Sequence, residues 1–207
     1  AGLIAGCLSL VGAFLVRSQS RKGAIYLLVL LLFMLAFILF WLKGHRSFYL
    51  DTAPREDWLF PVWLIDYQRQ LIWQFVAGVA SEAPWFGIGA NTINFTPGAD
   101  HVISGTYNLH LVPGHPHNWP VEVLAETGAI GLAMLLITIA VSFVLFLVRY
   151  CRTGELRYAF AIAIMGGYWG SGLFNFSYWS AWWQVAFYLS VCLCLLDGSR
   201  SRREILN

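Results

Sequence analysis

The chain has 207 residues, of which 58% are hydrophobic, 16% aromatic and only 12% charged, with mean hydropathy +0.64. That is about half the charge of an ordinary soluble domain, which excludes a conventional soluble fold and places the chain in a bilayer. A net charge of +2, dispersed along the chain, excludes a nucleic-acid partner, and Cys7, Cys151, Cys192 and Cys194, all in or beside apolar runs, imply no disulfide framework.

The chain opens inside an apolar run, Ala1 to Val16, too short by itself to cross a hydrocarbon core that takes ~20 helical residues. With neither an initiator Met nor the basic start of a signal peptide, this opening is expected of the C-terminal part of a longer protein whose first helix here is truncated. Ala24 to Leu42 is long enough to span. Trp58 to Ala80 carries Pro61, Asp66 and Arg69, which make it a poor simple span. An amphipathic or re-entrant helix is expected there, with Leu71, Ile72, Trp73 and Phe75 available for membrane contact. The planar fork of Arg69 suits a phosphate held at the interface, and a salt bridge to Asp66, three residues earlier on the same face, is the structural alternative.

Four histidines, His101, His110, His115 and His117, crowd the end of the polar segment. They raise a metal site, but they lack a Cys partner or a recognised ligand spacing, and Asp100 is the only acid close by, so no metal is expected. In GHPHNWPVEVLAETGAIGLAMLL, residues 114–136, Asn118 or Trp119 is the natural N-cap, with Pro120 in the first turn and Glu122 placed to close it. The open N–H groups of that helix start make an anion site, and their field disfavours an imidazolium at His117, which could then accept a proton. His117 could equally bridge backbone groups or anchor at the headgroups. Glu122 and Glu126 share one helix face. An acid as deep as Glu126 is a functional candidate, or a partner for an arginine that holds the helix. Gly128 and Gly131 are expected to permit close helix contact.

Val121 to Val148, Tyr158 to Phe174 and Ala181 to Leu196 are the remaining spans. Arg149, Arg152 and Arg157 flank one short loop, and Arg200, Arg202 and Arg203 lie in the tail, so both are cytoplasmic by the positive-inside rule. The turn FNFSYWSAWW, Phe174 to Trp183, reads as an aromatic belt at the outer interface, and MGGYWGSG places Gly166 and Gly170 for helix packing. The helix from Val121 then starts outside, with His115, His117 and Asn118 at the outer surface. Whether Arg21 stands inside or outside depends on whether Trp58 to Ala80 crosses, and charge counting does not choose.

These residues resemble a family. HPHNWPVEVLAETGAIG is similar to the signature of the bacterial O-antigen ligase and polymerase superfamily, in which a His-Asn pair in a large periplasmic loop precedes a helix running L-x-x-x-x-E-x-G-x-x-G. RQLIWQFVAGVASEAPWFGIGANT, from Arg69 to Thr92, looks like its Arg-x-x-x-Trp segment and Pro-x-x-Gly-x-Gly turn, and SRKGA at Ser20 to Ala24 resembles its SRGA helix start. One departure is that a single full span separates Arg21 from Arg69 where the family usually has two.

The resemblance implies an all-α polytopic membrane protein of the bacterial inner membrane, a GT-C-like helical bundle. The expected organisation is transmembrane helices over 1–42, a large periplasmic loop over 43–119, three transmembrane helices over 120–196 and a cytoplasmic tail over 197–207. The implied activity is transfer of a glycan from an undecaprenyl-diphosphate carrier to an acceptor hydroxyl on lipid A-core, another glycan or a protein, with inversion and without cofactor or metal. His117 matches the essential histidine and Arg69 the arginine that holds the donor diphosphate; Asn118, His115, Glu126 and Arg21 are candidate substrate contacts. Two other readings stand beside it: a branch of the superfamily linked to inorganic-carbon uptake, which tends to lack the His-Asn pair, and a non-catalytic scaffold.

Overall fold

A computed structural model describes residues 1–17, 60–61, 64–102 and 110–196, with isolated positions between 29 and 40. Arg21 and most of the Ala24 to Leu42 run lie outside the described residues. Those described are mainly helical and contain no strand beyond an isolated antiparallel bridge between Val102 and His110. Among the described residues the bounded helices are α1 (Gly2–Arg17), α2 (Tyr67–Glu82), α3 (Trp119–Thr153), α4 (Leu156–Gly172) and α5 (Ala181–Leu195), with a 3-10 turn at Ile93–Phe95. They fall into two compact units, one of residues 1–18, 138–171 and 180–207, the other of residues 19–137 and 172–179.

In the first unit α1 packs on α4 through small residues. A side chain at Gly166 would fall onto Ser9, and one at Gly170 onto Ala5, so these glycines let the two backbones approach closely. At the other end of α1, Tyr150 is 1% exposed. Its ring takes the edge of Phe14 at a centroid distance of 5.7 Å and the Arg17 guanidinium at 5.0 Å. Tyr168 stacks on Phe187 at 4.2 Å and Trp183 at 5.3 Å, joining α4 to α5. Arg157 pairs with Glu155 at the start of α4.

Among the described residues only α3, at 35 residues, is long and apolar enough to cross a membrane. Its start fits the expected one, but its middle does not. The apolar run predicts one continuous span, whereas the structure breaks it at Gly128, whose φ of 69° and ψ of −175° are not helical. The turn Pro84 to Gly89 supplies what the break removes. Ile88 and Gly89 donate their N–H groups to the carbonyls of Ala125 (3.0 Å) and Glu126 (2.9 Å), while Ala129 and Ile130 donate theirs to Pro84 (2.8 Å) and Trp85 (3.3 Å). Four backbone groups freed by the break thus find partners on the turn, as a buried helix interruption requires. Gly128 meets the Trp85 carbonyl and Gly87, at φ 68°, meets the Glu126 carbonyl so closely that neither site has room for a Cβ. Gly128 therefore serves contact with a loop instead of the helix contact expected of it. Gly131 faces the side chain of Thr127 on its own helix.

Trp58 to Ala80 also differs from the sequence expectation, in where its apolar residues pack. The helix begins at Tyr67, because Asp66 caps it and accepts the Arg69 N–H at 2.9 Å. Ile72, offered above for membrane contact, is 3% exposed and belongs to a core with Val76, Val79, Ala80, Ile93, Ala99, Val112 and Ala125; Trp73 and Phe75 pack against it. The apolar stripe of α2 is spent on the protein's own interior, where periodicity alone cannot distinguish it from a lipid-facing stripe.

Candidate functional site

The site forms where the segment 114–118 turns into α3. Gly114 has φ 138° and His117 φ 55°. A left-handed histidine is uncommon and persists only when its surroundings hold it. Three contacts do so. The His117 N–H donates to Nδ1 of His115 at 3.2 Å, the indole N–H of Trp73 donates to the Pro116 carbonyl at 2.9 Å, and His117 Nδ1 lies 2.8 Å from the carbonyl oxygen of Asn175. Trp73 is four residues beyond Arg69, so one face of α2 carries the arginine and docks on the histidine turn.

A carbonyl oxygen only accepts, so Nδ1 of His117 must carry the proton. In the neutral ring Nε2 is then the lone-pair nitrogen, with its tautomer fixed from outside. The same reasoning makes Nδ1 of His115 an acceptor. The two imidazoles sit 4.1 Å apart between centroids. Burial first, and then the proximity of His117, hold His115 at a pKa of about 4, below the ordinary 6.5.

Unfolded chains protonate His115 near 6.5, while the folded protein refuses the proton until about pH 4. The stabilisation is therefore complete above pH 6.5 and is lost progressively as pH falls from 6.5 towards 4. His115→Gln, which keeps an acceptor for the His117 N–H, is expected to flatten this slope; thermal midpoints of both proteins across that range check it.

Asn118 is the N-cap, its Oδ1 accepting the Val121 N–H at 3.2 Å and its carbonyl the Glu122 N–H at 3.0 Å. This bears on the expected anion site. Pro120 has no N–H and that of Val121 is taken, so the helix start offers few donors to a ligand. Glu122 does not close a capping box. It is 1% exposed and accepts from Ser177 Oγ at 2.6 Å and the Tyr178 N–H at 2.7 Å. Glu122 thereby fixes the turn whose Asn175 carbonyl orients His117.

Glu126 is likewise 1% exposed, and among the described residues no arginine pairs with it. One oxygen accepts the N–H groups of Thr92 and Ile93, each at 2.9 Å; the other accepts that of Asn91 at 2.8 Å and the Trp179 indole N–H. All its acceptor positions serve the chain's own donors. Trp179, expected in an interfacial belt, spends its polar atom inside the protein. Glu122 with Ser177, and Trp73 with Pro116, are thus site-building pairs that the sequence reading did not assign, although the shared face of Glu122 and Glu126 was the available signal.

Arg69 lies 3.5 Å from Asp66, with both side chains about a third exposed (31% and 30%). The ion pair named as the alternative is present, and it leaves the guanidinium partly open. A cavity of about 350 Å³ between α2 and the start of α3 is lined by Phe60, Gln70, Trp73, Gln74, Ala77, Asn118 and Val121. Gln70 is 2% exposed and shapes its rim by bonding the carbonyls of Phe60 (2.8 Å) and Ile65 (2.9 Å). His110 Nδ1 donates to the Asp100 carbonyl at 2.8 Å and His101 is exposed, apart from this turn in their bonding. Among the described residues no three His, Cys, Asp or Glu side chains converge as metal ligands.

A protein of Rickettsia bellii, named by inference a polysaccharide ligase, is 29% identical over 144 residues, 68% of this chain and 32% of its own. Proteins of Rickettsia conorii and Rickettsia prowazekii named in the same way are 28% and 26% identical, over 56% and 57% of this chain and 28% and 29% of theirs. The chain spans about a third of the length of these curated relatives. No solved structure matches it. The family described as O-Antigen ligase matches residues 1–136, which include the histidine turn, α2, the Pro84 to Gly89 turn and the break in α3. The chain belongs to the O-antigen ligase family.

Proposed function

We propose that this chain is the site-bearing portion of a multi-pass, GT-C-like glycosyltransferase of the bacterial inner membrane. It transfers a glycan from undecaprenyl diphosphate to an acceptor hydroxyl on the periplasmic face. The organisation inferred from the sequence, a periplasmic loop over 43–119 between membrane helices and a cytoplasmic tail over 197–207, belongs to the same proposal. The observation that carries it is His117, whose Nδ1–H is held by the Asn175 carbonyl so that Nε2 is the basic nitrogen of a partly exposed ring.

In this reading the acceptor oxygen attacks the anomeric carbon while its proton passes to His117 Nε2. The bond from that carbon to the diphosphate oxygen breaks with inversion, and undecaprenyl diphosphate leaves with the electron pair. Arg69, already balanced against Asp66 but about a third exposed, holds the diphosphate and offsets the charge that grows on it. Because Asn118 satisfies the helix start, this task falls more to Arg69 than to α3. Asn118 and His115 frame the acceptor, Arg21 remains a proposed contact, and Glu126 serves the substrate through the loop it holds. No metal or cofactor is invoked.

The test is transfer by the full-length protein in detergent, given undecaprenyl-diphosphate-linked glycan with lipid A-core, glycan and serine-containing peptide acceptors in turn. One acceptor is expected to gain the glycan as undecaprenyl diphosphate is released. A folded protein that consumes no donor with any of them contradicts the proposal.

A further inference from the structure

The turn that repairs α3 also displays two large aromatic side chains. Trp85 is 66% exposed and Phe86 77%. Single exposed hydrophobics are ordinary on proteins, but these two are adjacent and the backbone that carries them is fixed. Pro84, Trp85, Ile88 and Gly89 each hydrogen-bond to the Ala125 to Ile130 segment of α3, and Glu126 fastens the following residues Asn91 to Ile93. The rings are therefore held outward by structure, at entropic cost already met in folding.

What covers them follows from where they are attached. The carbonyl of Trp85 accepts the N–H of Ile130 at 3.3 Å, and Ile130 is the first of the exposed apolar side chains of α3, followed by Met134 and Ile137 at 66% and 63% exposure. The aromatic pair thus continues the surface that a membrane-crossing α3 gives to lipid, at the point where the exposed apolar surface of that helix begins. Trp is the residue of the boundary between headgroup and acyl chain, since its ring is apolar and its N–H needs a polar partner.

We propose that Trp85 and Phe86 insert into the outer headgroup–acyl boundary of the bilayer, so that the Pro84 to Gly89 turn is a rigid membrane anchor. It rests on the reading of α3 as a span and deepens it. The same turn is bonded to the helix that begins at Asn118, so lipid contact fixes the depth of the histidine turn at which a lipid-linked diphosphate must be met.

The experiment uses the full-length protein in a cysteine-free background, carrying an environment-sensitive fluorophore at Phe86→Cys or, separately, at Ile137→Cys. Both are reconstituted in phosphatidylglycerol–phosphatidylethanolamine vesicles with doxyl lipid quenchers placed near the headgroup or near the chain end. Residue 86 is expected to be quenched about twofold or more by the shallow quencher relative to the deep one, as suits an apolar surface sunk ~5–10 Å into the boundary, and to resist aqueous iodide. Residue 137 is expected to favour the deep quencher. Quenching at 137 with none at 86 overturns the anchor and leaves the span standing, whether residue 86 is open to iodide or shielded by protein. Absence of quenching at both positions overturns the span and the anchor with it.

Discussion

Glu126→Ala is expected to destabilise the protein by about 3–6 kcal/mol, since each buried donor left without a partner costs ~1–3 kcal/mol and water can reach only some of them. The side chain bonds three consecutive backbone N–H groups, of Asn91, Thr92 and Ile93, and the Trp179 indole. Its removal strands those donors and releases the segment after the Pro84 to Gly89 turn, which in turn supports the break at Gly128. Glu126→Gln keeps one accepting oxygen but turns an NH2 group towards donors, so it is expected to recover only part of the loss. Thermal midpoints of wild type and both variants in one detergent order the three; a Glu126→Ala protein with the wild-type midpoint would show that the network carries little stability.

His117→Ala is expected to lower kcat for glycan transfer by about 10²–10⁴, the usual contribution of a positioned general base, with the KM for the lipid-linked donor nearly unchanged. The split follows from the roles. A proton acceptor acts as the acceptor hydroxyl loses its proton in the transition state, so its loss does not weaken ground-state binding of the donor. Arg69→Ala is the counterpart, raising donor KM as well as lowering kcat, because the guanidinium binds the diphosphate before it stabilises its departure. Steady-state kinetics on folded variants separate the two patterns.

Local features were legible from the sequence, and long-range ones were not. The start of α3 follows from Asn118 and Pro120 beside an apolar run, and α4 and α5 lie within two residues of the runs Tyr158 to Phe174 and Ala181 to Leu196 at each end, because helix boundaries depend on neighbours in sequence. The break at Gly128 depends on a turn some forty residues upstream, and nothing in a continuous apolar run reveals it. Glu126 shows the same limit: depth in an apolar helix flags an acid that needs partners, but its donors come from residues 91–93 and 179. Ile72 looked available to lipid because a stripe on one face does not say what covers it. His117 and Arg69 were singled out by residue chemistry and by resemblance; what the structure adds is the Asn175 carbonyl that sets the histidine's tautomer and the Trp73 indole that ties its turn to the helix of Arg69.

The most direct test of His117 as the base is single-turnover transfer by His117→Ala, at a thermal midpoint matched to wild type, with and without added imidazole. The rate is expected to fall by about 10²–10⁴ and to rise on adding free imidazole, which can occupy the vacated space and take the acceptor's proton. Transfer by the folded variant at the wild-type rate without imidazole would contradict that role for His117.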